Sequence, residues 1–394
     1  MAFIRQNALK ANFRAFCMTG HPFPPLPRRS FLANLLSLGV VSSVGPAFAA
    51  ANAKPAWPSI DATFLFTADV HTCLISGGVL SPNCAAEGKT DANLLRHVAA
   101  LNRITEFSWP TEIGGVATGL AGAGKKIAKP LGLVIGGDMT DDGGGQVKVP
   151  GEGHQLLQFS SRYQEGTGPD RVHFPVYNGL GNHDLDQDGV PPHIDWYRRE
   201  LRDYVELNHR PTVFYKPPVA VANYDIDSDN YSWDWGGLHL VQLQRFGGDT
   251  SKGAISGLDW LKQDLANAAA DGRPVVVFQH YGWDTFSLEK WDPAKMTFDD
   301  EGSGHAHWWD DDDRAALLSV LKGYNVVGLF HGHEHDTPMI YKEGSLDLFK
   351  PIATFKGGFA VVHITNQYMD VALAQADGTD GGVTFQKAFS KRFG

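Results

Sequence analysis

Side chains able to bind a transition metal fall in five short motifs along the chain. In order, these are Asp69-Val70-His71, Gly137-Asp138, Gly181-Asn182-His183-Asp184, His280 closing the run from Val275, and Gly332-His333-Glu334-His335. Imidazole nitrogen, carboxylate oxygen and amide oxygen together suit Fe, Mn, Zn or Co and argue against Ca or Mg alone. Two such ions held ~3.5 to 4 Å apart can activate a water and neutralise charge on an oxygen it attacks or displaces.

The elements that must position these residues are legible too. Each motif follows a short apolar run of strand type: Ala62 to Thr67, Leu131 to Ile135, Phe174 to Tyr177, Val275 to Phe278 and Val326 to Phe330. Ligands at strand ends converge, because open sheets bind at the carboxyl ends of their strands. Helical patterns alternate with the strands. Asp91 to Glu106 puts Leu94, Leu95, Val98 and Leu101 on one face, and Ser256 to Ala269 does the same with Leu258, Leu261 and Leu265. The four aspartates that open Asp310 to Leu321 read as a first helical turn favoured by the helix dipole, in preference to a metal trap.

Three stretches read as insertions that shape access to the site: Glu106 to Pro130, Asp141 to Gly153, and Tyr281 to His307 with Trp283 and Trp291. His305 and His307 in the last have no third partner nearby in sequence and read as loop histidines.

A lone Asp-x-His or His-x-His occurs by chance in many chains, but these five motifs in this order resemble the calcineurin-like metallophosphoesterase superfamily, over residues 59 to 390. The resemblance implies an α/β fold, a four-layer α/β/β/α sandwich of two mixed sheets flanked by helices, with the strand-rich stretch Ile340 to Phe389 fitting its second sheet. It implies two metal ions: Asp69, His71 and His335 on one, Asn182, His280 and His333 on the other, and Asp138 bridging. It also implies direct attack of a metal-bound hydroxide on phosphorus, with His183 as general acid and Asp184 orienting it, since a carboxylate on one ring nitrogen fixes the tautomer.

Two departures matter. Purple acid phosphatases carry Tyr three residues after the bridging Asp, where this chain has Asp141, and Gly where His71 stands, so a tyrosinate-bound ferric ion is not expected. Cyclic-nucleotide phosphodiesterases of the superfamily often carry Arg where Asp186 stands, so an anchoring cation must come from elsewhere, with Arg162 and Arg245 as candidates. Monoesters are favoured over small diesters or nucleotides as substrate. The contrasting reading, a metal-loaded binding protein without turnover, is disfavoured because such proteins usually lose a ligand or the histidine that His183 represents.

The first 49 residues carry Arg5, Lys10, Arg14, Arg28 and Arg29, no acidic residue, and an apolar run from Phe31 to Val44. That run is too short for the ~20 residues of a spanning helix, so it reads as an export signal and not as a stable membrane anchor. Pro27-Arg28-Arg29-Ser30-Phe31-Leu32 resembles the twin-arginine signal, and Ala47-Phe48-Ala49 offers a signal-peptidase site. The expected partners are the twin-arginine translocase and signal peptidase, the location periplasmic or secreted, and residues 50 to 58 a linker. Formal charge, 34 − 44 = −10 for the whole chain, becomes 29 − 44 = −15 after cleavage, which disfavours long nucleic acid as substrate. Only Cys73 and Cys84 remain, and a bridge between them competes with two free thiols or with Cys73 as a soft ligand near His71.

Overall fold

Asp61–Thr67 is apolar on both faces and buried from its second residue onward, as befits a central strand covered on two sides. It pairs in parallel with Leu133–Ile135 and antiparallel with Gly358–Thr365. These belong to a computed structural model that describes residues 58–75, 78–81, 83–141, 154–185, 194–251, 254–284, 291–292, 297–298, 309–378 and 380–393. The signal with Arg28 and Arg29, Asp186, residues 142–153, and His305 and His307 lie outside the described residues.

The described strands form two large mixed sheets. One has six strands in the order Gly382–Arg392, Tyr368–Asp377, Gly358–Thr365, Asp61–Thr67, Leu133–Ile135, Val176–Tyr177. The other has seven, in the order Met339–Glu343, Leu346–Lys350, Asn325–Phe330, Pro274–Phe278, Leu238–Gln242, Tyr231–Trp235, Asn223–Tyr224. Phe64 and Phe66 of the first sheet meet Phe278 and Phe330 of the second, with ring centroids 5.4 to 6.0 Å apart. Each ring is fully buried, a contribution of roughly 1.5–3 kcal/mol apiece from area removed from water.

Helices cover the outer faces. Asp91–Asn102, capped by the Thr90 hydroxyl on Asn93 N (3.4 Å), sends Leu94, Val98 and Leu101 into the core of the first sheet. Pro274–Phe278 shows the period-two partition: Val276 and Phe278 join the core between the sheets, whereas Val275 and Val277 pack with Leu261, Leu265 and Leu317 of the helices Leu258–Ala268 and Asp311–Leu321. The result is the expected four-layer sandwich. Asp310 caps the second of these helices, its carboxylate accepting from Asp313 N at 2.9 Å, so the aspartate run is a first helical turn.

Two expectations need correction. Ile340 to Phe389 does not make one sheet: Met339–Glu343 and Leu346–Lys350 extend the seven-stranded sheet, while the strands from Gly358 onward join Asp61–Thr67 in the other. Alternation marks a strand without naming its partner. The stretch Glu106 to Pro130 does not reach the site either. Its Ala121 and Gly122 amides donate to Asp370 (3.1 and 2.7 Å), and Trp109 stacks on His363, which pairs with Thr63. Thr63 is six residues before Asp69 on the same segment, on the order of 20 Å away along an extended chain.

Candidate metal centre

The strands that precede the motifs run parallel within each sheet, so their carboxyl ends share one edge. The motif loops there adopt backbone that L-residues rarely take. Asp69, His71, Asp138 and His333 have φ of 60°, 49°, 52° and 80°, four of the seven non-glycine residues with positive φ among those described. The loops hold one another in place. Asp69 N donates to Gly137 O (3.0 Å), His71 N to Asp138 O (3.0 Å), Gly332 N to His280 O (3.0 Å), and His333 N to both Asp69 carboxylate oxygens (3.0 and 3.1 Å). Close approach demands glycine at Gly332, where a Cβ would sit 2.4 Å from Ala68 Cβ and 2.5 Å from Asp69 Oδ2.

Two of the groups of ligand atoms that result share Asp138, and another, His71, Asp141 and His183, adjoins them. Asp69, His71, Asp138 and His335 form one and Asp138, His280 and His333 the other, the atoms within each lying inside 4.8 Å. Asn182 Oδ1 stands 3.0 Å from His280 Nε2 and so extends the second. Asp138 belongs to both. Its fully buried Oδ2 accepts no hydrogen bond, yet lies 3.1 Å from His280 Nε2 and 3.5 Å from His71 Nε2. His71 Nε2 and His335 Nε2 approach to 3.1 Å, too close for both to carry a proton. Ring nitrogens and an amide oxygen gathered around one buried carboxylate are the donor types that suit a pair of transition-metal cations.

The electrostatics agree. Burial alone would raise the Asp69 and Asp138 carboxyls, but the histidines around them prevail: His335 and then His280 hold Asp69 below the ordinary range, and His280 and His183 hold Asp138 well below it. Burial works against a charged His280 as well, yet Asp138 and then Asp69 lift it to about 9, so a metal bound at its Nε2 would displace a proton. For His71 burial prevails over the lift from Asp141, leaving it at about 4, a neutral imidazole over the working pH range.

His183 is set beside this group, its ring centroid 4.7 Å from that of His71, and its backbone N–H donates to Asp138 Oδ1 (2.9 Å). Asp184 does not orient it. Its carboxylate accepts from Met139 N (3.1 Å), Thr140 N (3.0 Å), Thr140 Oγ1 (2.8 Å) and Gly181 N (2.9 Å), clamping the two loops together. Neighbouring residues of the short helix Asn182–Leu185 point about 100° apart, which sends the two side chains to different walls. The partner of His183 Nδ1 is instead the carbonyl of Asp141, whose carboxylate also accepts from His71 Nδ1 at 3.2 Å. Sequence reasoning noted Asp141 only for what it is not. Nothing in its spacing marked it as the contact of two site histidines.

The two arginine candidates are occupied elsewhere. Arg162 makes a paired contact with Asp91 (3.0 and 2.9 Å), tying the helix His154–Tyr163 to its neighbour. Arg245 is buried against Asp249 (2.7 Å) and the Ser251 carbonyl (3.1 Å). Cys73 and Cys84 form a disulfide, which removes Cys73 as a ligand.

The family model for calcineurin-like phosphoesterases matches residues 62–337, more than half of the chain. The protein therefore belongs to the calcineurin-like phosphoesterases, hydrolases of phosphoric esters with a dinuclear metal centre. Similar solved structures include a dimetal phosphatase from Danio rerio (14% identity, 86% of this chain and 100% of that one, TM-score 0.48). Others are GAP50, the anchor in the inner membrane complex of Plasmodium (11%, 83% and 89%, 0.45), and a 5′-nucleotidase from Candida albicans (10%, 78% and 49%, 0.40). At these TM-scores none bears on activity. No curated protein matches the chain.

Proposed function

We propose that the chain is an exported phosphomonoesterase that uses two transition-metal ions, Fe, Mn, Zn or Co. The observation that carries this reading is the meeting of Asp69, His71, Asp138, Asn182, His280, His333 and His335 at one edge, with His183 beside them and not among the ligand atoms of either group of three or more around Asp138. When bound, the ions would supply an activated water and neutralise phosphoryl charge. The rest falls to the chain. Asp138 would serve both ions, Asp69 and His71 with His335 one of them, and His280 and His333 with Asn182 the other. His183 donates through Nδ1 to the Asp141 carbonyl, so a proton taken at Nε2 is the one available for a departing alkoxide. Asp184 keeps the loops of Asp138 and Asn182 in register.

Export rests on Arg28 and Arg29 and on the apolar run after them, and the Cys73–Cys84 disulfide suits an oxidising compartment. No helix among the described residues is long and apolar enough to cross a membrane. Replacing both arginines with Lys should strand precursor in the cytoplasm, and undiminished export would mean the ordinary secretion route.

The experiment that tests the activity compares His183→Asn with the wild-type enzyme on alkyl and nitrophenyl phosphates and on small diesters, with elemental analysis of each sample. General acid catalysis is worth on the order of 10² to 10⁴ in rate and most where the leaving oxygen is a strong base. The variant should keep two metals and lose far more activity on the alkyl ester. Equal losses on both would assign His183 to phosphate binding, faster wild-type turnover of diesters would make the enzyme a phosphodiesterase, and a metal-loaded wild type inert on every ester would mark a binding protein.

A further inference from the structure

Behind His71 lies a buried cation that the reaction scheme does not use. Lys89, 8% exposed, places Nζ 2.6 Å from Asp141 Oδ1, the same oxygen that accepts from His71 Nδ1. Its other anionic partner is Glu87 (2.6 Å), half-exposed on the surface side. The position of Lys89 is built and not incidental. Its backbone N–H donates to Cys84 O (2.8 Å) at the end of the short helix Cys84–Glu87, and Cys84 is tied by the disulfide to Cys73, two residues beyond His71. Nζ also lies 5.5 Å from the Phe355 ring, whose neighbours are the rings of His71 (5.6 Å) and His335 (5.2 Å), each nearly perpendicular to it.

We infer that Lys89 is a positioning residue for the site, acting through Asp141 on His71 and His183 together. A carboxylate can swing about its side-chain torsion, and a carboxylate that swings releases the ring it holds. Asp141 is pinned on the backbone side by donation of its N–H to Thr72 O (3.1 Å) and Gln155 Oε1 (3.0 Å). On the side-chain side the group that holds it is the Lys89 ammonium. Held there, the carboxylate fixes the His71 ring, and the carbonyl of the same residue takes His183 Nδ1. One ion pair thus orients a proposed ligand and the proposed acid at once. Removing an outer partner of a metal ligand typically costs 10–100-fold in metal affinity or activity, which sets the size of the expected effect.

The inference rests on the proposed phosphomonoesterase reading, and the test separates the two. Wild type, Lys89→Met, Lys89→Arg and Glu87→Gln are compared for kcat, KM, metal content and thermal unfolding, with nitrophenyl phosphate as the probe. Lys89→Met should lose about 10–100-fold in kcat, with KM within about twofold, and should bind one of its two ions more weakly in a chelator titration. Lys89→Arg, which keeps the charge, should recover most of kcat, and Glu87→Gln should resemble wild type. Unchanged kcat and metal binding in folded Lys89→Met would overturn the inference, and so would a rise in KM alone, which would make Lys89 a substrate-binding cation. Should Lys89→Met fail to fold, Lys89→Gln, which retains a donor for Asp141 without the charge, is judged by the same outcomes. An inactive wild type would instead sink the phosphomonoesterase reading, and the chelator titration would still decide whether Lys89 holds His71.

Discussion

Gly181→Ala is a one-carbon test of how tightly the site loops are stitched. Gly181 lies outside the left-handed region of backbone space, so by local conformation alone alanine would be tolerated and would stabilise by ~0.4–1 kcal/mol through the unfolded chain. The tertiary contact reverses that sign. A Cβ there would stand 2.1 Å from Asp138 Oδ1 and 2.6 Å from Asp138 N, short of the 3.4 Å of ordinary contact by 3.4 − 2.1 = 1.3 Å for the nearer atom. Asp138 cannot easily turn aside, because its Oδ1 accepts from His183 N (2.9 Å) and its backbone is already in a rare conformation at φ 52°. The segments bearing Asp138 and Asn182–His183 must therefore part by about 1 Å. Overpacking of this kind costs ~1–3 kcal/mol, which exceeds the entropic gain, and displacing catalytic groups by ~1 Å costs roughly 10²-fold in rate. Thermal unfolding should thus fall by a few degrees, kcat/KM on nitrophenyl phosphate about a hundredfold, and elemental analysis should show weakened retention of metal. A Gly181→Ala enzyme with wild-type kcat/KM and an equal or higher Tm would refute the reasoning.

Asp138→Ala should weaken retention of both metals, because its carboxylate belongs to both ligand groups, whereas His280→Ala should empty mainly one; equal losses in the two variants by elemental analysis would contradict the shared role. His239, buried between Asp234 (2.7 Å) and Asp264 (2.9 Å), is lifted by them to about 9 against the pull of burial. A group raised in the folded state contributes fully below its unfolded value near 6.5 and loses that contribution as pH rises through about 9, so up to about 3 kcal/mol should disappear across that window in denaturant titrations of wild type but not of His239→Asn. Reduction of the Cys73–Cys84 disulfide, whose ends are 11 residues apart, should cost roughly 3 kcal/mol on the loop-entropy argument, read as a lower Tm under a dithiol; an unchanged Tm after confirmed reduction would show that the loop is held by its other contacts.

The parts of this protein that were legible in its chain are those set by local pattern. Strands before Asp69, Asp138, Asn182, His280 and His333 appear where apolar runs give way to a polar residue, preceded by glycine at Asp138, Asn182 and His333, because a two-residue period and a turn residue act over a few neighbours. The helix at Asp311–Leu321 begins at its aspartate cap for the same reason. The candidate ligand residues are legible because their types and order are unusual, not because their geometry is. What required the folded chain is everything that depends on which distant groups meet. Gly358–Thr365 pairs with Asp61–Thr67 across almost three hundred residues, a choice between two sheets that its alternation does not encode. Asp184 follows His183 in sequence yet faces the Asp138 loop, while Asp141, more than forty residues earlier, reaches both His71 and His183. Arg162 and Arg245 are plausible phosphate anchors as residue types and unavailable as neighbours of Asp91 and Asp249. Hydrogen bonds and ion pairs act over about 3 Å of space whatever the separation along the chain, so a partner chosen by packing leaves little trace in local pattern.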